Sequence, residues 1–242
     1  TLTHAVVELS PFWRSAAERA ALDTARSTLL FFFGALCWKT DERADSLPKL
    51  RHKCQRSFSA PGFLSHYSFG LRYELFDRFR NADGFKVYAT DYPPSLNGAR
   101  VQLDDEISKS TFCFCPSGTG WGMRVYHVMV LGCIPVIAQH DGTHPRVTQA
   151  FEPELDWGSF SVLVNRSHFD RFPELLRSVD VAAKRTALAR VWNRVVWRET
   201  LNEPLRSRLP SPDAFEATVE SLGALLARRG MLGGASRGSR RS

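Results

Sequence analysis

Apolar and polar positions along the chain alternate between two periods. The run TLLFFFGAL at 28–36 is continuously apolar, as a central strand of a parallel sheet requires when both faces are covered. Before it, AVVEL at 5–9 reads as a short strand. Residues 10–27 open with Ser10-Pro11 and continue in helix-forming residues. Residues 39–66 are charged and irregular, broken by Pro48, Pro61 and Gly62. A loop at Tyr67–Gly70 then enters a helix that carries Leu71, Leu75, Phe76 and Phe79 on one face, and FKVYA at 85–89 is a strand. DDEISKS at 104–110 suits a short helix and TFCFC at 111–115 a strand. An apolar helix over 122–131 stops at Gly132, and CIPVIA at 133–138 is a strand. The loop 139–157 leads to a strand at FSVLV, 160–164. Residues 173–198 read as helical, with Trp192 and Val196 on one side. A last helix opens at Ser211-Pro212 with Phe215, Val219, Leu222 and Leu226 along its apolar face. There is no solenoid-type repeat. Strands alternating with helices predict an α/β fold, a doubly wound parallel sheet with right-handed crossovers.

Composition narrows the picture little; charge distribution narrows it more. The chain has 242 residues, 43% of them hydrophobic, enough for a sizeable core. Its formal net charge of +7 falls to +2 without Arg228, Arg229, Arg237, Arg240 and Arg241, and no acid follows Glu220. The excess therefore belongs to a glycine- and serine-rich end, read as a disordered basic tail at 229–242, and no nucleic-acid partner is implied. The most apolar stretch, LLFFFGALCW at 29–38, has ten residues where a membrane span needs about twenty. The chain begins at Thr1 rather than Met, which reads as a fragment or a processed product.

Of five cysteines, Cys113 and Cys115 share one face of a strand and Cys133 begins another, positions where buried free thiols are common. Cys37 and Cys54 lie in a polar connecting region and can bridge in an oxidising compartment. No Cys-x-x-Cys occurs. His140 and His144 are four apart, but Gly142 and Pro145 argue against a helix between them, so no metal site is expected. Asn165-Arg166-Ser167 is a glycosylation sequon, usable in a secretory compartment.

The stretch FCFCPSGTGWGMRVYHVMVLGCIPVI at 112–137 carries the chemistry. A strand enters a loop that holds Gly118, Gly120 and Gly122, then a helix. Glycines there let backbone approach a ligand and adopt positive φ. Amides of a helix's first turn and its dipole favour an anion, and Arg124 adds a fork suited to phosphate oxygens. A phosphate or diphosphate is the natural guest. The loop is neither a P-loop, since no GKS or GKT follows, nor a dinucleotide fingerprint, since GTGWG lacks the GxGxxG spacing. On spacing alone, a tight strand-to-helix turn explains it equally well.

The longer string resembles the exostosin-type glycosyltransferases, family GT47. PSGTGWGMRVYHVMVLGCIPVI followed by LDWGSFSVLV, with YSFGLRYEL and SKSTFCFCPSG in order before it, matches that family's motifs over roughly residues 5–180. The resemblance implies a Rossmann-like donor-binding half of a GT-B architecture. Residues 1–28 would be the end of the N-terminal lobe and a connecting helix, residues 29–200 the donor-binding domain, and residues 201–228 a C-terminal helix. It implies transfer of a sugar from a nucleoside diphosphate sugar to a glycan hydroxyl, with inversion, no metal and no cofactor besides that substrate, and a luminal Golgi location behind an upstream anchor.

By the match, Ser117, Gly118, Gly120, Trp121 and Gly122 form a diphosphate loop with Arg124 as its cation. Tyr67, Ser68, Gly70 and Arg72 form a second loop on the same cleft. Asp156-Trp157 is a turn with an anchoring tryptophan. Two departures stand out: His127 replaces an acid that commonly holds donor ribose hydroxyls, and Phe33 replaces an arginine in the first strand. They allow an altered donor, or a non-catalytic partner subunit or glycan-binding module. A different phosphate-ligand binder is the remaining alternative. No catalytic base is assigned, since it is expected from the other lobe.

Overall fold

The computed structural model of the chain describes residues 2–37, 44–59, 67–92, 101–118, 122–142 and 145–230. In chain order the helices are α1 (His4–Glu8), α2 (Ala16–Thr24), α3 (Leu47–Ser59), α4 (Leu71–Phe79), α5 (Leu103–Ser108), α6 (Arg124–Val130), α7 (Trp157–Phe160), α8 (Phe172–Arg177), α9 (Val181–Leu188), α10 (Leu205–Arg208) and α11 (Ala214–Arg228). The strands are β1 (Thr28–Gly34), β2 (Phe85–Ala89), β3 (Ser110–Pro116), β4 (Ile134–Ala138) and β5 (Val162–Leu163). They form one sheet in the order β2-β1-β3-β4-β5, and every pairing is parallel. This is the Rossmann-like α/β fold that the alternating pattern predicts.

Strand alternation splits the core into two layers, one on each side of the sheet. Leu30, Phe32, Phe112, Phe114 and Val136 point to one side, where Leu71, Leu75, Phe76 and Phe79 of α4 and Phe172 of α8 cover them. Phe31, Cys113, Cys115 and Ile137 point to the other, under Val128 and Met129 of α6, with Trp157 and Trp192. The continuous apolar run at 28–36 thus has the double burial that its composition demands.

Several boundaries differ from the pattern. AVVEL is the helix α1 rather than a strand. Only Val7 of it is buried, and the Trp13 indole N–H donates to the Val7 carbonyl at 2.7 Å, closing the segment as a turn. Residues 10–27 divide into a 3-10 turn (Pro11–Trp13) and α2, because Ser15 and Glu18 form a capping box that restarts the helix. The expected strand at 160–164 pairs only at Val162 and Leu163, since Phe160 belongs to α7, which Asp156 caps through the Gly158 amide. Residues 173–198 are two helices and a 3-10 segment (Trp192–Val195), with Asp180 capping the second helix through Ala183. On α11 the buried residues are Ala214 and Ala217, whereas Phe215 is 57% exposed and Val219, Leu222 and Leu226 also face outward. The apolar stripe faces away from the core.

The cysteines also depart from expectation. Cys113 and Cys133 are disulfide-bonded with Cα atoms 5.9 Å apart, because the turn before β4 lays Cys133 beside β3. Cys37 and Cys54 form a second bridge with Cα atoms 5.2 Å apart. Cys115 is the free, buried cysteine, and burial pushes its thiol up to about 12. No helix among the described residues is long and apolar enough to cross a membrane. Of the basic tail, residues 231–242 lie outside the described residues.

Candidate functional site

In a sheet ordered 2-1-3-4-5 the chain turns to one side after β1 and to the other after β2, so β1 and β3 are neighbours whose connections diverge. That opens a crevice at their carboxyl ends. Gly34 ends β1 and Pro116 ends β3, and both predicted loops meet there. The Ser68 amide donates to the Gly118 carbonyl at 2.7 Å, joining the 67–72 turn to the loop after β3. Arg72, at the start of α4, donates from Nε and Nη2 to the Ser117 carbonyl at 3.0 and 2.8 Å. Its Nη1 donates to the Ala35 carbonyl at 3.1 Å and to the Tyr67 hydroxyl at 3.0 Å. The guanidinium lies 5.0 Å from the Tyr67 ring centre and so ties together three chain segments.

Arg124, the first residue of α6, lies over the Phe32 ring at 5.3 Å. It converges on the same point from the other side. A Cβ placed on Gly34 would come 3.0 Å from Arg124 Nη2 and 3.7 Å from Arg72 Nη1. Gly34 therefore leaves the space into which both guanidiniums reach. Burial pushes Arg124 below the usual arginine range. It does the same for Arg72, with the neighbouring Arg124 charge adding to the effect. Among the described residues no carboxylate forms an ion pair with either guanidinium. Two like charges held together out of water are costly, and an anion between them would relieve both the repulsion and the desolvation.

Around the pair, polar groups stand ready but unmatched. The Ser68 and Ser117 hydroxyls are buried with no hydrogen-bond partner among the described residues. Ser68, Phe69 and Gly70 have φ of 55°, 50° and 76°, a left-handed turn that costs the two non-glycine residues on the order of 1–3 kcal/mol each. Arg166 holds this turn by donating to the Phe69 carbonyl and by pairing with Glu74 at 3.0 Å.

The glycine loop behaves differently from the expectation in two respects. Gly118 and Gly122 do not take positive φ; Gly122 is needed instead for close approach, since a Cβ there would sit 3.3 Å from the Pro116 carbonyl. The helix begins at Arg124 and spans seven residues rather than running over 122–131. The positive charge of the corner therefore comes mainly from guanidiniums rather than from helix amides. Gly120 and Trp121 lie outside the described residues.

His127 stands one turn along α6 from Arg124, and its Nε2 lies 2.7 Å from Asp104 Oδ1 on α5. His127 is thus paired with an acid from the neighbouring helix. Sequence reasoning passed over Asp104 because it lies in an ordinary acidic helix start. It also passed over Asp91, at the end of β2, whose carboxylate accepts from the Leu36 amide at 3.1 Å and pairs with the buried Lys53 at 3.7 Å. Asp91 fixes the turn after β1, whose Ala35 carbonyl holds Arg72. An acid just beyond a strand's carboxyl end was the available signal.

The remaining candidates make structural contacts. Trp157 is buried and its indole N–H donates to the Ala150 carbonyl at 2.8 Å, as an anchor does. His140 Nδ1 accepts from the Gly142 amide, and His144 lies outside the described residues. Asn165 Oδ1 accepts from the Ser167 amide at 3.0 Å and from its hydroxyl at 2.7 Å, capping a 3-10 turn at 166–171. Phe33 is partly buried among the apolar residues of the α6 side.

The model of the exostosin GT47 domain matches residues 3–179, most of the chain. The chain belongs to the exostosin GT47 family. Plant proteins are among its curated relatives. One, named a probable glucuronosyltransferase, from Oryza sativa subsp. japonica, is 29% identical over 51% of this chain and 27% of its own length. Another of the same name and organism is 26% identical over 66% of this chain and 35% of its own length. A protein of Arabidopsis thaliana named a probable beta-1,4-xylosyltransferase is 27% identical over 47% of this chain and 25% of its own length. This exostosin GT47 chain thus spans about a quarter to a third of the length of the relatives it matches.

Proposed function

We propose that the chain is the donor-binding half of a glycosyltransferase of GT-B architecture. It would transfer a sugar from a nucleoside diphosphate sugar to a glycan hydroxyl. Membership of the family and the transferase names of its relatives support this reading. The observation that carries it is the Arg72–Arg124 pair, converging over Gly34 at the β1/β3 crevice with no carboxylate between them among the described residues.

In the reaction the acceptor oxygen forms a bond to the anomeric carbon as the bond to the diphosphate oxygen breaks, with inversion. The leaving diphosphate takes the electron pair, and the two guanidiniums neutralise its growing charge, so they bind the leaving group more tightly as the bond breaks. The buried Ser68 and Ser117 hydroxyls would donate to its oxygens, and Tyr67 keeps Arg72 in place. His127 and Asp104 together would receive donor ribose hydroxyls, the carboxylate accepting and the imidazole orienting it. The acceptor proton goes to a base on the opposite lobe of the complete enzyme. The two disulfides fit a secretory compartment, and with it the Golgi lumen, an upstream membrane anchor and use of the sequon at Asn165.

Calorimetric titration with uridine, guanosine, adenosine and cytidine diphosphates tests the reading. One of them is expected to saturate the chain, and Arg124→Ala or Arg72→Ala to weaken it roughly ten- to a hundredfold, the worth of a charge-assisted hydrogen bond of about 1.5–3 kcal/mol. The rival, a non-catalytic partner subunit or glycan-binding module, is favoured if no nucleotide binds.

A further inference from the structure

A second basic concavity lies at the opposite, amino end of the strands. Its position is fixed by Arg26, whose Nη1 donates to the Ser110 carbonyl at 2.7 Å, where β3 begins, and whose Nη2 reaches the Leu131 carbonyl at 3.4 Å, just before β4. The crevice at the carboxyl ends is therefore a strand's length away. Residues of α2 and α9 line a cleft of about 490 Å³ there. Four arginines line it, Arg19, Arg26, Arg185 and Arg190, against one acid, Asp23.

The five charges are not equally engaged. Arg26 spends its donors on Asp23 and backbone carbonyls and forms the floor. Arg185 pairs with Asp23 through Nη1 at 3.1 Å. Its Nε and Nη2 are buried and find no acceptor among the described residues. Asp23 must serve both guanidiniums, since Arg26 Nε lies 3.3 Å from the same Oδ1. Arg190, exposed, and Arg19, half-buried, flank the opening. One carboxylate thus stands among four cations in a concave, low-dielectric wall, which focuses a positive potential into the cleft. Burial, with the nearby Arg185 charge, brings Arg26 down to about 10, although Asp23 acts in the opposite direction.

The rest of the lining is apolar and small. Pro11 and Phe12 form one wall, and Ala16, Ala20 and Ala182 contribute methyl groups. The volume is far larger than a bare inorganic ion needs, and the apolar walls suit a ring-sized body. A neutral ligand would leave the Arg185 donors unmet, whereas an oxyanion accepts from them in a fork geometry.

We infer that this cleft is a binding site for a sugar-sized organic oxyanion, held at its charged end by Arg185 with Arg190 and Arg19 at the mouth, and separate from the donor crevice. A uronate carboxylate and a sugar phosphate share this chemistry. The inference does not rest on the transferase reading, because none of its residues touches the β1/β3 crevice.

Calorimetric titration of the chain with glucuronate, glucose 6-phosphate and inorganic phosphate tests it. Saturable binding of glucuronate or of glucose 6-phosphate is expected, at least tenfold tighter than inorganic phosphate, and the preferred compound tells carboxylate from phosphate. Arg185→Met and, as a surface change that leaves the core untouched, Arg190→Glu should each weaken binding at least tenfold. Arg124→Ala should leave it unchanged while weakening nucleotide binding. No saturation by either sugar, equal binding of inorganic phosphate, or binding insensitive to both Arg185→Met and Arg190→Glu would overturn the assignment.

Discussion

At the scale of single residues, the crevice is organised by an absent side chain. Gly34 has ordinary strand geometry; what it supplies is room for Arg124 Nη2, which would lie 3.0 Å from a Cβ at that position. The nearest atom is the end of a flexible side chain, which can move aside, while the Phe32 ring at 3.3 Å has to give by a few tenths of an ångström. Gly34→Ala is therefore expected to change the melting temperature little and to weaken nucleoside diphosphate binding about tenfold, the loss of one charge-assisted contact. Unchanged affinity in the same titration would show that Arg124 does not need that space. Arg124 and Arg72 themselves were legible in the sequence, from their place beside glycines and at a helix start. Their convergence was not, because 52 residues separate them and only the β1/β3 neighbour relation brings them together. The Asp104–His127 contact was hidden for the same reason: it joins two helices that the pattern predicts separately.

At the scale of elements, strands with both faces covered and helices with a single buried stripe were readable, and β1 through β4 and α4 lie where the periodicity puts them. Short elements were not, and neither was α3, which forms over Leu47–Ser59 in a stretch that reads as charged and irregular. In α1 a β-rich sequence loses to the local turn closed by Trp13, and in α7 a cap at Asp156 takes Phe160 out of the expected strand. Propensity is a small term in pieces of four or five residues, so tertiary contacts decide them. The disulfide between Cys113 and Cys133 was also misread as separate buried thiols, since parity alone does not reveal which strands are adjacent. It closes a 20-residue separation that contains the glycine loop and α6. Cys113→Ala combined with Cys133→Ala is expected to cost about 3 kcal/mol in urea unfolding. A change below about 1 kcal/mol would mean that the bridge contributes nothing to holding this unit.

At the scale of the whole molecule, the two basic concavities occupy opposite ends of the same strands, and a third surface, apolar, runs along α11. The amphipathic pattern of that helix was plain in the sequence, but its direction was not: amphipathicity says that a stripe exists, whereas only packing says where it points. Phe215, Val219 and Leu222 are each more than half exposed. Phe215→Ser together with Leu222→Ser should therefore leave the unfolding free energy of this chain within about 0.5 kcal/mol per site and lower its light-scattering second-order self-association. A marked loss of stability would show that the stripe is packed after all.

The staple across the β3–β4 unit also bears on how the protein must be produced. A bacterial cytoplasm keeps thiols reduced, so material harvested there would carry three unpaired sulfhydryls in one apolar layer and a slacker frame around the glycine loop. A failed nucleotide titration on such material would report on the expression host, and the experiment belongs on protein exported to a periplasm or refolded with a glutathione couple.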